Sequence, residues 1–325
     1  MSGSMGFVAI GRNEGARLVA CLASLAREGG PIVYVDSGST DQSLQEAARI
    51  GAEIVSLDMA RPFTAARARN AGFRRLMEIE PGTDYVQFID GDCELAPGWT
   101  GAARAFLEAH EDVAVVCGRR RERRPEASVY NRLCDAEWDT PAGEALACGG
   151  DAMMRAPILS EVNGYRDGLV AGEEPELCLR LREKGWRIWR LDAEMTLHDA
   201  AIERFSQWWR RSVRAGHAYA EVSSLHRGSP KRIWARETVR ALVWSSIAPL
   251  ALVAGALVHP VGFGLLLAYP AQIARLAYRE RRRGADAPAF AIFSVLSKFA
   301  EAEGALRYGL SRLRRRAPQL IEYKA

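Results

Sequence analysis

The sequence predicts an α/β domain with a mostly parallel sheet covered by helices on both faces, followed by a helical, membrane-associated region. Two observations carry this. Over roughly the first ninety residues, short apolar runs alternate with stretches whose apolar residues recur at helical spacing, the β-α-β-α order of a parallel sheet. From Ala241 to Ala274 there is no Asp, Glu, Lys or Arg. That is long enough for a membrane segment and short of the roughly 40 residues that two comfortable spans need. With 325 residues the chain has room for one full α/β domain and an appendage. A hydrophobic content of 48% with 26% charged residues excludes a disordered tail, and the net charge is a modest +4. The six cysteines form no CxxC pair and no zinc-ligand spacing, so reduced thiols in a cytosolic compartment are expected. No signal peptide is expected from the first residues.

Taken in order, Phe7 to Ile10 is a first apolar run, ending in Gly11-Arg12-Asn13-Glu14. Leu18, Val19, Leu22 and Leu25 follow at helical spacing, and Gly29-Gly30 stops that helix. Ile32 to Val35 is a second buried strand that ends on Asp36, and Ser37-Gly38-Ser39-Thr40-Asp41 is a turn rich in capping side chains. A short helix runs to Gly51, Ile54 to Leu57 is a third strand, a helix covers about Ala65 to Ile79, and Tyr85 to Ile89 is a fourth strand ending on Asp90. Ligands of such sheets bind outside the carboxyl ends of the strands, so Asp36 and Asp90 are expected to line one crevice. The run Arg119 to Arg121 with Arg123 and Arg124 reads as a solvated or membrane-facing loop. A further helix is expected near Pro175, with Leu177 and Leu181 inward and Gly185 at its end, then a strand from Trp186 to Leu191.

The last hundred residues differ. Gly255 and His259-Pro260 break the charge-free stretch near its middle, and arginines flank it: Arg232, Arg236 and Arg240 before, Arg275, Arg279 and Arg281 to Arg283 after. A helical hairpin, re-entrant or spanning on short legs, with both ends in the cytosol is expected; a buried hairpin of a soluble domain is the alternative. Ala287 to Leu310 reads as an amphipathic helix interrupted by Lys298, and Arg312 with Arg314 to Arg316 forms a basic cluster suited to anionic headgroups. The expected division is 1–205 for the α/β domain, 206–240 for amphipathic basic helices, and 241–325 for the hairpin and basic tail.

Asp90-Gly91-Asp92 places two acids one residue apart at a strand end. They sit in a solvated turn, or they hold something positive. An EF-hand loop is excluded, because its sixth position is Leu95 rather than glycine and its twelfth is Gly101 rather than glutamate. Paired carboxylates suit a hard divalent cation, Mg2+ or Mn2+, that bridges substrate phosphates. Taken together, Gly11-Arg12-Asn13-Glu14, Val35-Asp36-Ser37-Gly38-Ser39-Thr40-Asp41, Ala68-Arg69-Asn70-Ala71-Gly72, Asp90-Gly91-Asp92, Gly149-Gly150-Asp151 and Gly172-Glu173-Glu174 resemble a family 2 glycosyltransferase over roughly residues 5 to 215.

The resemblance implies the GT-A fold, a Rossmann-like mixed sheet, and inverting transfer from a nucleotide-diphosphate sugar. It implies that Asp36 binds the nucleobase with Arg69 beside it, that Asp90 lies near the ribose, and that Asp92 holds the metal on the diphosphate. Asp90 and His198 are further candidate metal ligands. Asn13, Glu14, Asn70, Gly149, Gly150 and Asp151 complete the expected substrate-binding set on this side. The general base is expected at Glu174, with Glu173 and Glu176 in reserve. The family has Glu-Asp where this chain has Glu173-Glu174, so acids placed only to satisfy a helix dipole remain an alternative. Gln207-Trp208-Trp209-Arg210-Arg211 resembles the family's Gln-x-x-Arg-Trp segment with Arg211 in place of the last tryptophan. Gln207 joins the expected substrate-binding set, and Arg210, Arg211 and Arg214 are expected to clamp a diphosphate, or the helix rests its tryptophans at a membrane interface.

The expected function is a metal-dependent transferase at the cytoplasmic face of the inner membrane, using Mn2+ or Mg2+. It would move a sugar from a nucleotide donor, a UDP-sugar, to a lipid-linked or saccharide acceptor, in polysaccharide or glycolipid synthesis. Its partners are the donor, the acceptor and membrane lipid, without nucleic acid. A catalytically silent nucleotide-sugar-binding membrane scaffold is the alternative. A nucleotidyltransferase predicts a glycine-rich basic first loop that Gly11-Arg12-Asn13-Glu14 does not supply, and a nicotinamide-binding domain predicts an absent GxGxxG.

Overall fold

The computed structural model describes residues 3–314. It divides into two compact units, Met1–Leu169 with Glu173–Ala201, and Val170–Gly172 with Ile202–Ala325. The expected 206–240 segment therefore lies in the same unit as the segment that follows it.

In the first unit, β1 (Met5–Gly11), β2 (Ile32–Asp36), β3 (Glu53–Ser56) and β4 (Tyr85–Asp90) are parallel in the order β3-β2-β1-β4. The apolar runs of β1, β2 and β4 are buried almost throughout, as strands covered on both faces must be. The intervening helices are α1 (Ala16–Ala26), α2 (Ser43–Ile50) and α3 (Ala65–Ile79). Leu18, Leu22 and Leu25 give α1 its buried stripe. Gly51 ends α2 in the left-handed conformation at φ 85°. Thr64 caps α3, its hydroxyl accepting from Arg67 N at 3.1 Å. A Cβ on Gly72 of α3 would strike Val8 and Val35, so only glycine lets this helix lie this close to β1 and β2. That close seat carries Arg69, one turn earlier, toward the sheet's carboxyl rim.

Beyond β4 the sheet becomes mixed. β5 (Cys93–Leu95), α4 (Trp99–Ala109), β6 (Val113–Glu122), α5 (Val129–Trp138), β7 (Gly143–Ala145), β8 (Ala152–Arg155), α6 (Ala156–Glu161), α7 (Glu173–Glu183) and β9 (Arg187–His198) follow in the chain. In space the order continues β4-β8-β6-β9-β5, with β7 on β9. β8 is antiparallel to both β4 and β6, β6 and β9 run parallel, and β5 is antiparallel to β9. The mostly parallel sheet read from the first ninety residues is thus one half of a mixed one. The arginine run also departs from expectation: Arg119 to Arg121 belong to β6, an interior strand, and Arg119 is buried against Asp135 at 2.9 Å. Shifts in the β6–β9 register around Arg119 mark a β-bulge there, a device that re-aims side chains. β9 is longer than expected and runs on to His198.

In the second unit, α8 (Phe205–Leu225), α9 (Ala235–Val253), α10 (Ala268–Arg279) and α11 (Ala287–Leu313) pack as helices. Trp208 of α8 is buried and meets Phe293 of α11 edge-on at 4.9 Å, while Trp209 Nε1 donates to Glu303 at 2.9 Å. The tryptophans are thus used in helix packing. The charge-free stretch breaks where glycine and proline predict: a π turn at Ala254–Val258, then a 3₁₀ segment at Pro260–Leu267. Helix α9 with its π turn, Ala235–Val258, is one apolar helix of 24 residues, about 36 Å at 1.5 Å per residue. The hairpin turn is bare: Leu257, Val258 and Val261 are 79%, 81% and 75% exposed. Lys298, read as a flaw in an apolar face, pairs with Glu301 at 2.5 Å. Arg315 and Arg316 of the basic cluster lie outside the described residues.

Candidate active site

Parallel register places Gly11 beside Asp36 and Ile10 beside Asp90, so β1, β2 and β4 end at one rim. There the loops after β1 and β2 are laced together. Asn13 N donates to Ser39 Oγ at 2.9 Å, Thr40 N donates to Asn13 Oδ1 at 2.7 Å, and Gly15 N donates to Asp41 Oδ2 at 3.1 Å. Asp36 is buried, and its Oδ2 accepts from Gly38 N and Ser39 N at 2.9 and 3.0 Å. Tyr34 donates to its Oδ1 at 3.2 Å. Asn13 and Asp36, expected on the substrate, therefore shape the rim from within. Glu14 pairs with Arg17 at 2.8 Å.

Next along the rim is a chain of alternating charges. Arg69, nearly fully buried, reaches Asp90 Oδ1 at 2.7 Å and both Glu173 and Glu174 at 2.9 Å. Arg120 of β6 reaches Asp90 Oδ2 at 3.2 Å and Asp151 Oδ2 at 2.8 Å, and its guanidinium lies 5.5 Å from the Trp138 ring centroid. Asp151 is completely buried. Its Oδ1 accepts from Asp90 N at 3.0 Å and its Oδ2 from Thr196 Oγ1 at 2.7 Å. Burial opposes ionisation of Asp90, but Arg69 and then Arg120 outweigh it and hold the carboxyl below its usual value. At Glu174 the balance reverses. Burial first and then Glu173 push its carboxyl up to about 7, against the pull of Arg69.

Gly150 makes this arrangement possible. A Cβ there would sit 2.5 Å from Arg69 Nη2 and 2.7 Å from Asp90 Oδ2. Gly150→Ala is expected to part that ion pair and to destabilise the fold by about 1–3 kcal/mol, the range for overpacking. A urea-unfolding midpoint equal to wild type would show that the pair gives way freely. Gly149, by contrast, has open space around it.

Asp92, two residues past Asp90, turns to a different partner. Its Oδ2 lies 3.3 Å from His198 Nε2, and both residues are buried. Burial pushes the His198 ring down, but Asp92 outweighs it and leaves the imidazole above its ordinary value. Ligand atoms of Asp92, Cys93 and His198 lie within 4.8 Å of one another, as do those of Asp90, Cys93 and Asp151. The first set suits a hard divalent cation better. A carboxylate and an imidazole are ordinary Mn2+ donors, whereas Asp90 and Asp151 are already neutralised by two arginines. Burial, then Asp151, push the Cys93 thiol well up, so it stays protonated and a poor ligand. Asp90, expected on the metal, spends both oxygens on arginines instead.

Several expected residues serve the scaffold. Asn70 Nδ2 donates to Tyr165 O and Asp167 Oδ1 at 2.7 and 2.6 Å, while its Oδ1 accepts from Tyr165 N at 2.8 Å. Glu176 is completely buried and pairs with Arg166 and Arg180 at 3.1 and 3.0 Å, which removes it as a reserve base. In the second unit, Gln207 Oε1 accepts from Glu203 N and Arg204 N, both at 3.0 Å, and so closes the start of α8 that carries Arg210 and Arg211. Reading the sequence missed Arg120, Glu122 and Trp138. The first two share a strand face at i, i+2, a period that becomes visible once Val113 to Gly118 is continued as a strand.

Residues 8–150 match the model of glycosyl transferase family 2. The chain is 24% identical over 272 residues to the succinoglycan biosynthesis protein ExoA of Rhizobium meliloti (strain 1021), covering 79% of this chain and 76% of that protein. Among solved structures it resembles the mannosyltransferase PcManGT from Pyrobaculum calidifontis, determined in complex with GDP-Man and Mn2+. The TM-score is 0.62 at 20% identity, over 94% of this chain and 88% of that one. At that identity the likeness speaks for the fold alone.

Proposed function

We propose a family 2 glycosyltransferase, on the match of residues 8–150 to that family: an inverting enzyme that transfers a sugar from a nucleotide-diphosphate donor, a UDP-sugar, to a lipid-linked or saccharide acceptor. The observation that carries this reading is the single rim that holds both an Asp92–His198 pair fit for a cation and an Arg69-linked Glu174 whose carboxyl lies near neutral. Asp92 and His198 would hold Mn2+ or Mg2+, and the cation would supply positive charge to offset that of the departing nucleoside diphosphate. Glu174 accepts the proton of the acceptor hydroxyl as its oxygen bonds to the anomeric carbon. The bond from that carbon to the diphosphate oxygen breaks, and its electron pair leaves with the nucleotide. Arg69 orients Glu174, and the laced loops around Asn13 and Asp36 receive the base and ribose.

The relative named for succinoglycan biosynthesis supports a role in polysaccharide synthesis. We place that role at the cytoplasmic face of the membrane, on the apolar helix Ala235–Val258 and the arginines that flank it. The bare turn between α9 and α10 would seat in the bilayer, with Arg279 and Arg281 to Arg283 at the headgroups. Replacing both Leu257 and Val258 by Glu is expected to lower cosedimentation with vesicles containing anionic lipid at least several-fold. Equal sedimentation of the two proteins would remove the turn as an anchor.

The test of function is turnover of a panel of UDP- and GDP-sugars with Mn2+ or Mg2+, with and without chelator. One donor is expected to turn over and chelation to stop it. Nucleotide binding without turnover across a broad acceptor panel would assign the silent scaffold instead.

A further inference from the structure

We propose that Glu122 is a positioning residue for the cation: it receives the Nδ1 proton of His198 and so presents the Nε2 lone pair of that ring to the metal beside Asp92. The inference rests on reading Asp92 and His198 as ligands. It adds a residue that no motif marked.

The backbone already fixes where His198 stands. It ends β9 with Cys93 of β5 across from it on one side and Glu122 of β6 on the other. Arg123 N donates to His198 O at 2.7 Å, and Asp199 N donates to Asp92 O at 3.1 Å. The strand therefore cannot slide or turn, and only the ring's tautomer and tilt remain to be set.

Each face of the ring edge meets one acid. Nε2 lies 3.3 Å from Asp92 Oδ2, and Nδ1 lies 3.8 Å from Glu122 Oε2. Nδ1 is fully buried and has no hydrogen-bond partner, a costly state that an approach of about 0.6–1 Å toward Glu122 would relieve. Trp138 closes the ring's flank, edge-on at 4.8 Å.

Glu122 is built to stay still. Its side chain is completely buried. Oε1 accepts from Arg124 N at 3.1 Å and from Asn131 Nδ2 at 3.3 Å, and Oε2 accepts from Ala200 N at 3.0 Å. With Nε2 given to a cation beside Asp92, the one proton left on the ring lies on Nδ1, and Glu122 stands where it can accept it. A histidine ligand whose second nitrogen is held by a carboxylate is oriented and made more basic, and loss of such a partner weakens metal affinity about 10–100-fold.

The experiment titrates the full chain with Mn2+, alone and with UDP or GDP, reading free Mn2+ by electron paramagnetic resonance. The imidazole nitrogens are followed in parallel by 15N resonance in samples holding diamagnetic Mg2+ in place of Mn2+. Glu122→Gln is expected to weaken Mn2+ binding about 10–100-fold and to abolish the single Nδ1–H tautomer of His198. In a His198→Ala background, adding Glu122→Gln is expected to change Mn2+ affinity no further. Wild-type affinity in Glu122→Gln would overturn the inference. So would equal losses in both backgrounds, which would mark a purely structural role. Absence of Mn2+ binding by wild type under all conditions would instead bring down the ligand reading itself, and the inference with it.

Discussion

Glutamine at position 174 is expected to lower turnover about 10²–10⁴-fold, the usual contribution of a general base, with donor affinity within a few-fold of wild type. The wild-type rate should rise with pH and level off above about 7. The sign follows from the cause. Burial and the neighbouring Glu173 favour the neutral form and push the Glu174 carboxyl up to about 7, so below that value the group is protonated and cannot take the acceptor's proton. Glu173→Gln removes one of the two effects that raise it, and the acid limb should move to lower pH. A pH–rate profile of kcat for the three proteins decides the matter. A Glu174→Gln enzyme that keeps the wild-type rate and acid limb would require a base elsewhere.

The second large effect is at Asp92. Asp92→Asn takes the charge from the carboxylate facing His198 at 3.3 Å while keeping its shape. A cation that offsets charge on the leaving diphosphate contributes several kcal/mol, and about 1.4 kcal/mol is tenfold in rate, so turnover should fall about 10³-fold. Because burial and Asp92 act in opposite directions on His198, with Asp92 the stronger, the same change should also lower the pKa of that ring. Turnover measured over a Mn2+ series, with the His198 proton followed by resonance, tests both. A rate unaffected by Asp92→Asn or by chelation would remove the cation from the reaction.

Asp90 and Asp92 show how far two neighbouring letters can diverge. In the motif they are equivalent carboxylates. In the fold Asp90, which ends β4, faces Arg69 and Arg120, while Asp92, beyond the turn, faces His198. The arginines come from helix α3 and from β6, a strand separated from β4 by β8. The same distance explains why Arg120 was read as part of a loop: five basic residues within six positions look solvated until each has a partner. Asp135, Asp90 with Asp151, Glu194 and Glu94 supply those partners for Arg119, Arg120, Arg121 and Arg123. Glu176, attractive as a third acid near Glu174, turns out to be locked by Arg166 and Arg180.

By itself the sequence determined what local physics can determine: the parallel β1, β2, β3 and β4 with their helices, the helix stops at Gly51 and Gly185, the acids at strand ends, and the break in the apolar hairpin at Gly255 and His259-Pro260. Each depends on periodicity, capping or backbone permission within a few residues. Only the tertiary structure decided the strand order and pairing in the mixed half of the sheet, which acid Arg69 and Arg120 would hold, and that His198 would come to rest between Asp92 and Glu122. Those outcomes depend on strands paired across separations of tens of residues, where burial decides which charges must find one another and no local pattern records the pairing.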